Sequence, residues 1–252
     1  MKSILLSLFV LLLAVPASAQ DDAQPTFIMT YYQCDMGRLD DLIEHERERA
    51  LPILQALTDD GAIVSAGHLR HQWGDEYNLR TWLLASDMDS ALAGVEAYNA
   101  RYDEMYPDDT LFDEVCPTHR DRINTLQVWS QRENLGPIDP ENPPTVAISE
   151  YICDYSAMGE IIADYREKAM PIVRALVDEG ALDAEGVLTH AWGDEWNLFL
   201  VRRAESMSAL DSALDTLDER YEAAHGEDAP DLLQEHCSAH KDNIYYLVTS
   251  TN

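Results

Sequence analysis

Histidine, tryptophan, glutamate and asparagine stand together twice in this chain. His71-Gln72-Trp73-Gly74-Asp75-Glu76-Tyr77-Asn78 returns as His190-Ala191-Trp192-Gly193-Asp194-Glu195-Trp196-Asn197. Such a set could do general acid–base chemistry. An imidazole takes a proton, an amide orients its ring, a carboxylate tunes its charge and an indole walls off water. If Gly74-Asp75 is a two-residue hairpin loop, Trp73 faces Glu76 and His71 faces Asn78. Alternation then sends all four side chains to one face of the sheet. The other face changes between copies, Gln72 becoming Ala191 and Tyr77 becoming Trp196. A structural reading competes: the Trp caps the sheet end, His71 and Asn78 pair across the strands, and Glu76 satisfies nearby donors.

The candidate catalytic residues are therefore His71 and His190. The candidate ligand-binding residues are Trp73, Glu76 and Asn78, with Trp192, Glu195 and Asn197 in the second copy. Tyr32 and Tyr151 join them, as aromatics expected to line the space between sheets or to serve as core. His and Glu of one copy are too few to ligate a metal without residues from the partner half, and neither a metal site nor a cofactor is expected. Arg47-Glu48 and Arg166-Glu167 read as solvated helix charges. His119 and His240, with Asp121 and Asp242 nearby, read as ordering a loop before the last strand. No G-x-S-x-G, H-E-x-x-H, P-loop or dinucleotide fingerprint occurs, which removes several common enzyme classes.

The elements that position these residues also repeat. In the first copy, residues 26–34 are aromatic and β-branched and read as a strand. Leu39, Leu42, Ile43, Ala50, Leu54 and Leu57 then recur at helical spacing up to Gly61. Pro52 and Pro171 predict a kink or break in that helix. Strand-like runs follow at 63–73 and 76–85. Asp87 and Ser206 are set to cap a second helix, and 122–129 and 243–249 supply a last strand. The order is β-α-β-β-α-β, twice. The expected units are a first repeat over 25–130, a Pro-rich linker over 131–144 and a second repeat over 145–252.

Lys2, the apolar run 4–15 and Ala17-Ser18-Ala19 form the parts of a signal peptide over residues 1–19. The mature chain should be exported, to the periplasm or outside the cell. In an oxidising compartment four cysteines argue for disulfides rather than ligation by the C-x-x-H runs at Cys116 and Cys237. Cys34–Cys116 and Cys153–Cys237 are the economical pairs. The first and last strands of each copy are expected to be antiparallel neighbours, which brings these cysteines together. A formal charge of −30 disfavours nucleic acid and anionic membrane as partners. The oligomeric state is left open by the sequence.

Duplicated β-α-β-β-α-β units with a Pro-interrupted first helix and a central hairpin resemble the dimeric α+β barrel superfamily. Antibiotic-biosynthesis-monooxygenase, EthD and NIPSNAP-like domains belong to it. The resemblance implies an α+β fold in which two ferredoxin-like sheets of one chain pack into a pseudo-dimeric barrel. The leading expectation is an exported acidic protein that binds a small apolar or aromatic molecule. The second is a cofactor-independent monooxygenase, isomerase or haem-related enzyme. The third is an extracellular interaction module without a pocket.

Overall fold

A computed structural model describes residues 24–74, 76–133, 135–193 and 195–251. Residues 1–19, read above as a signal peptide, and Asp75 and Asp194 lie outside the described residues. The first half runs β1 (Thr26–Gln33), α1 (Leu39–Asp59), β2 (Ser65–Trp73), β3 (Leu79–Ala85), α2 (Met88–Met105), α3 (Leu111–Val115) and β4 (Thr118–Gln131). The second runs β5 (Thr145–Cys153), α4 (Met158–Asp164), a π-helical turn (Tyr165–Ala169) and α5 (Met170–Asp178). It continues with β6 (Ala184–Trp192), β7 (Leu198–Ala204), α6 (Met207–His225), α7 (Leu232–His236) and β8 (Cys237–Ser250). The expected order is present in both halves. Asp87 and Ser206 cap α2 and α6, their side chains accepting from the backbone N–H of Ser90 and Ala209.

Within each half the strands lie side by side as β4-β1-β3-β2 and β8-β5-β7-β6. Antiparallel pairs β2–β8 and β4–β6 then join the halves, and all eight strands close into one barrel. Closure leaves no strand edge exposed to a stray partner. The helices pack outside. The barrel is filled by Met29, Tyr31, Leu69, Ile148, Phe199, Tyr245 and their neighbours, together with buried Arg80, Arg122 and Glu150.

Two details depart from the sequence reading, at Pro52 and at the last strands, while the expected break at Pro171 is present. Pro52 does not break its helix. Helix α1 continues through it, with Leu39, Leu42, Ile53, Leu54 and Leu57 buried on both sides of the proline. Packing along the whole length holds the helix together where local propensity would break it. In the second half the backbone does open, into a π-helical turn immediately before Met170-Pro171, one route around a proline's missing N–H. That turn begins at Tyr165, whose hydroxyl donates to Glu185 in the sheet. The last strands are also longer than expected, so His119 and His240 sit within β4 and β8 rather than in loops.

Both expected disulfides are present, Cys34–Cys116 and Cys153–Cys237. They fit an oxidising compartment. No helix among the described residues is long and apolar enough to cross a membrane.

Candidate functional site

The repeated hairpin ends hold their register, with the His71 N–H donating to Asn78 O at 3.1 Å and the His190 N–H to Asn197 O at 3.0 Å. The four side chains nonetheless part company. Trp73 and Trp192 are 76% and 74% exposed, and Glu76 and Glu195 are exposed beside them. The chain leaves the ladder between Trp73 and Leu79. Tyr77 therefore turns into the barrel, edge-on to Tyr31. His71 lies against the Tyr245 ring at 5.3 Å, and His190 Nδ1 is 3.5 Å from the Tyr155 hydroxyl.

Asn78 and Asn197 serve the disulfides. Asn78 accepts from the Cys34 N–H at 2.8 Å and donates to Cys34 O at 2.7 Å. Asn197 does the same for Cys153, at 2.8 and 2.7 Å. Truncating buried Asn197 to Ala strands a backbone donor and an acceptor. It should cost about 2 to 6 kcal/mol, at 1–3 kcal/mol per unsatisfied group. Urea unfolding of the oxidised protein reads this directly. A midpoint equal to that of the wild type would show that the bracket contributes nothing.

Tyr32 and Tyr151 do not line the space between the sheets. Their neighbours Tyr31 and Glu150 point into the barrel, and alternation sends Tyr32 and Tyr151 outward to the helices. Outward is where the cavity lies. Between the first-half sheet and helices α1 and α2 is a cavity of about 490 Å3. Ile28, Leu54, Leu83, Val95 and Phe112 give it apolar walls, and Tyr98 and Tyr102 roof it from α2. Its polar lining includes Glu46 from α1, His68 from β2, and Tyr32, Thr30 and Thr81 from the sheet, with Asn99, Asp103, Asp109 and Asp113 on the helix side.

Glu46 and His68 are 3% and 4% exposed. His68 Nε2 lies 3.5 Å from Glu46 Oε2, and its Nδ1 lies 2.5 Å from the hydroxyl of Thr249. Thr249 comes from β8 of the other half, opposite His68 across the β2–β8 seam. Gly67 permits this close crossing, because a Cβ there would lie 2.3 Å from Thr249 O. At the matching place on the β4–β6 seam stand Val128 and Val187. Tyr165 replaces Glu46, Leu200 replaces Thr81 and Leu217 replaces Tyr98. Val128, Val187, Leu200 and Leu217 all belong to the apolar core of the second half.

The sequence reading missed Glu46, His68 and Thr249 because it followed identity between the copies. The useful signal was the reverse: His68 and Thr249 are polar where the other copy has Val187 and Val128.

Burial raises the cavity's tyrosines. Tyr32 is pushed up to about 12, by burial first and then by Asp121 and Glu46, against the Thr81 and Thr30 hydroxyls. Tyr98 is raised by burial and by Glu46, and Tyr102 by burial and its bond to Asp109. A raised phenol favours the folded state below the ordinary tyrosine value of about 10. That contribution is lost as pH climbs through the folded values. Alkaline titration should thus show tyrosinate absorbance in two stages, the later one coinciding with loss of circular dichroism. A single stage near the ordinary value with the fold intact would contradict this.

Among the described residues no three His, Cys, Asp or Glu side chains are placed to hold a metal ion. No protein-family model matches the sequence, and no curated protein is significantly similar to it. Solved structures do match. A candidate monooxygenase from Lactobacillus acidophilus NCFM superposes with a TM-score of 0.63 at 8% identity, covering 91% of this chain and 96% of the other. An anthrone oxidase-like protein gives 0.56 at 16%, covering 91% and 93%. The chain has the dimeric α+β barrel fold. Both ferredoxin-like halves of that barrel come from one chain here.

One expectation falls with this comparison. The chlorite dismutase of Candidatus Nitrospira defluvii shares the fold at a TM-score of 0.50 and 6% identity, over 90% of this chain and 93% of the other. It was solved with imidazole, and a mutant of it with cyanide, both common ligands of metal ions. The expectation of no cofactor, drawn from the few ligands within one hairpin, does not stand for this fold.

Proposed function

We propose that the first-half cavity is the working site of an exported enzyme that removes a proton from a small aromatic ketone or phenol. The observation that carries this reading is the buried Glu46–His68 pair at 3.5 Å inside a cavity of about 490 Å3. That volume falls in the roughly 300–1,000 Å3 range of small-molecule sites. Glu46 acts as the base and His68 steadies the charge that changes on it. The Tyr98 and Tyr102 rings offer flat faces to an aromatic substrate. The Tyr32 and Thr81 hydroxyls supply donors for its oxygen. The monooxygenase-like and anthrone oxidase-like neighbours support an enzyme rather than an inert module.

Haem does not fit these residues. His68, the histidine that lines the cavity, has Nδ1 on Thr249 and Nε2 beside Glu46, so both ring nitrogens are already engaged. The test uses anthrone, whose carbon between the rings carries an acidic hydrogen. The oxidised protein should speed deuterium uptake at that carbon, read by NMR. Glu46→Gln should slow it about 100-fold with the thermal midpoint retained. Uptake no faster than in buffer, across anthrone and simple phenolic ketones, would refute the reading.

A further inference from the structure

Acids and imidazoles form a continuous chain leading away from the cavity. His68 Nε2 lies 3.5 Å from Glu46 Oε2, and Glu46 Oε1 lies 3.2 Å from Nδ1 of His45. The far nitrogen of that ring, Nε2, lies 2.7 Å from Asp109 Oδ2. Asp109 also receives the Tyr102 hydroxyl at 2.9 Å and pairs with Arg49. His45, Arg49 and Asp109 border an open depression on the outside of the helix layer, while Asp109 and Glu46 border the inner cavity. Consecutive residues on a helix point about 100° apart. Glu46 can thus face the sheet while His45 lies along the flank toward Asp109.

Asp109 is held ionised. Burial pushes its carboxyl up, but the Leu111 N–H, the Tyr102 hydroxyl, Arg49 and His45 together bring it below the usual range. Both ring nitrogens of His45 therefore meet a carboxyl oxygen, and the ring can accept on one side while donating on the other.

The second half supplies an internal control. His45 and Glu46 correspond there to Asp164 and Tyr165. Asp164 pairs with Lys168 one helical turn on, and Tyr165 bonds Glu185. The His68–Thr249 crossing is the Val187–Val128 pair. The matching positions of the second copy therefore hold no such chain of acids and imidazoles. This one occurs in the copy that carries the cavity.

We infer that Glu46, His45 and Asp109 form a proton relay connecting the cavity to solvent. A proton arriving on Glu46 passes to Nδ1 of His45, and the Nε2 proton leaves to Asp109 and then to water in the outer depression. The starting tautomer returns when Nδ1 gives its proton to water and Nε2 takes one from water in the outer depression that His45 borders, so no charge accumulates. His45 is a positioning and relay residue and does not touch the substrate. The groups facing the relay are Tyr98 and Tyr102 from α2, Tyr32 from β1, His68 from β2, and Arg49 beside Asp109. Use of the relay in turnover rests on the acid–base reading above; its existence does not.

The experiment accordingly needs no substrate. In the intact oxidised protein with nitrogen-labelled imidazoles, NMR gives the exchange rate of the His68 ring N–H with water. His45→Phe fills the space without carrying a proton, and His45→Gln keeps hydrogen bonds without the two-sided ring. Each should slow exchange by roughly tenfold or more, and Asp109→Asn should slow it as well. A merely loosened structure would speed exchange, so the direction separates the two causes. Should His45→Phe fail to fold, His45→Gln decides. Wild-type exchange rates in the folded His45 variants would overturn the relay. An absence of anthrone chemistry with slowed exchange would instead remove the proposed reaction and leave the relay standing.

Discussion

Reduction of the two disulfides should unfold this protein at temperatures where the oxidised form remains folded. The bridges close separate loops, with sequence separations of 82 and 84 residues. On the chain-entropy account each contributes about 4.5 kcal/mol. Because the loops are not nested, the two contributions should add, to about 9 kcal/mol, against a usual total of about 5–15 kcal/mol for a domain. Thermal melts with and without reductant measure the sum, and Cys34→Ser and Cys153→Ser measure the parts. Cys34→Ser should also disturb the cavity. Cys116 follows directly on α3, whose Phe112 forms part of the wall, and Asp109 lies just before that helix. Loss of the slow-titrating tyrosines in Cys34→Ser, before any loss of the second half, would show that link. Equal melting of reduced and oxidised protein would refute the stability argument.

The fold was legible because it rests on features that the two copies share. Gly74 and Gly193 have positive φ in the hairpin turns. Cys34 and Cys153 sit where β1 and β5 end, and Asp87 and Ser206 cap their helices. These are local signals that tertiary contacts reinforce. Asn78 and Asn197 were visible for the same reason, and their amides brace the cysteines. The unbroken helix at Pro52 was not legible, since burial of Leu39 through Leu57 outweighs a local break.

The cavity was hidden more deeply. His68 meets Thr249 only because β2 and β8 close the barrel, a contact between residues 181 apart in sequence. No spacing rule announces such a pair. Glu46 reads as one more acid on an acidic helix until its burial is known. The exposed Trp73 and Trp192, by contrast, caught attention through repetition alone, which two copies of any hairpin would produce.

Glu150→Gln should be the most damaging single change inside the barrel, lowering stability by about 3–5 kcal/mol. Glu150 is fully buried and accepts from Arg80 Nη2 at 3.0 Å, Arg122 Nη1 at 2.6 Å and Asn243 Nδ2 at 3.2 Å. Lys241 approaches to 3.5 Å. Both guanidinium groups lie over Tyr31, at 4.0 and 4.3 Å from its ring centre. Glutamine fits the same space, so the loss reports charge rather than volume. Burial raises the Glu150 carboxyl, and the Arg80, Arg122 and Lys241 charges outweigh that and hold it below the ordinary range. A lowered carboxyl stabilises the fold above the unfolded value of about 4.3. The contribution disappears as pH falls through the folded value. Urea midpoints of wild type and Glu150→Gln should therefore differ widely near neutrality and converge in acid. A gap that persists undiminished in acid would mean that shape, not charge, makes Glu150 matter. Its counterpart in the first half is Tyr31, and those of Arg80 and Arg122 are Phe199 and Asn243. The pairing thus spans the two halves, the carboxylate coming from the second and both guanidinium groups from the first.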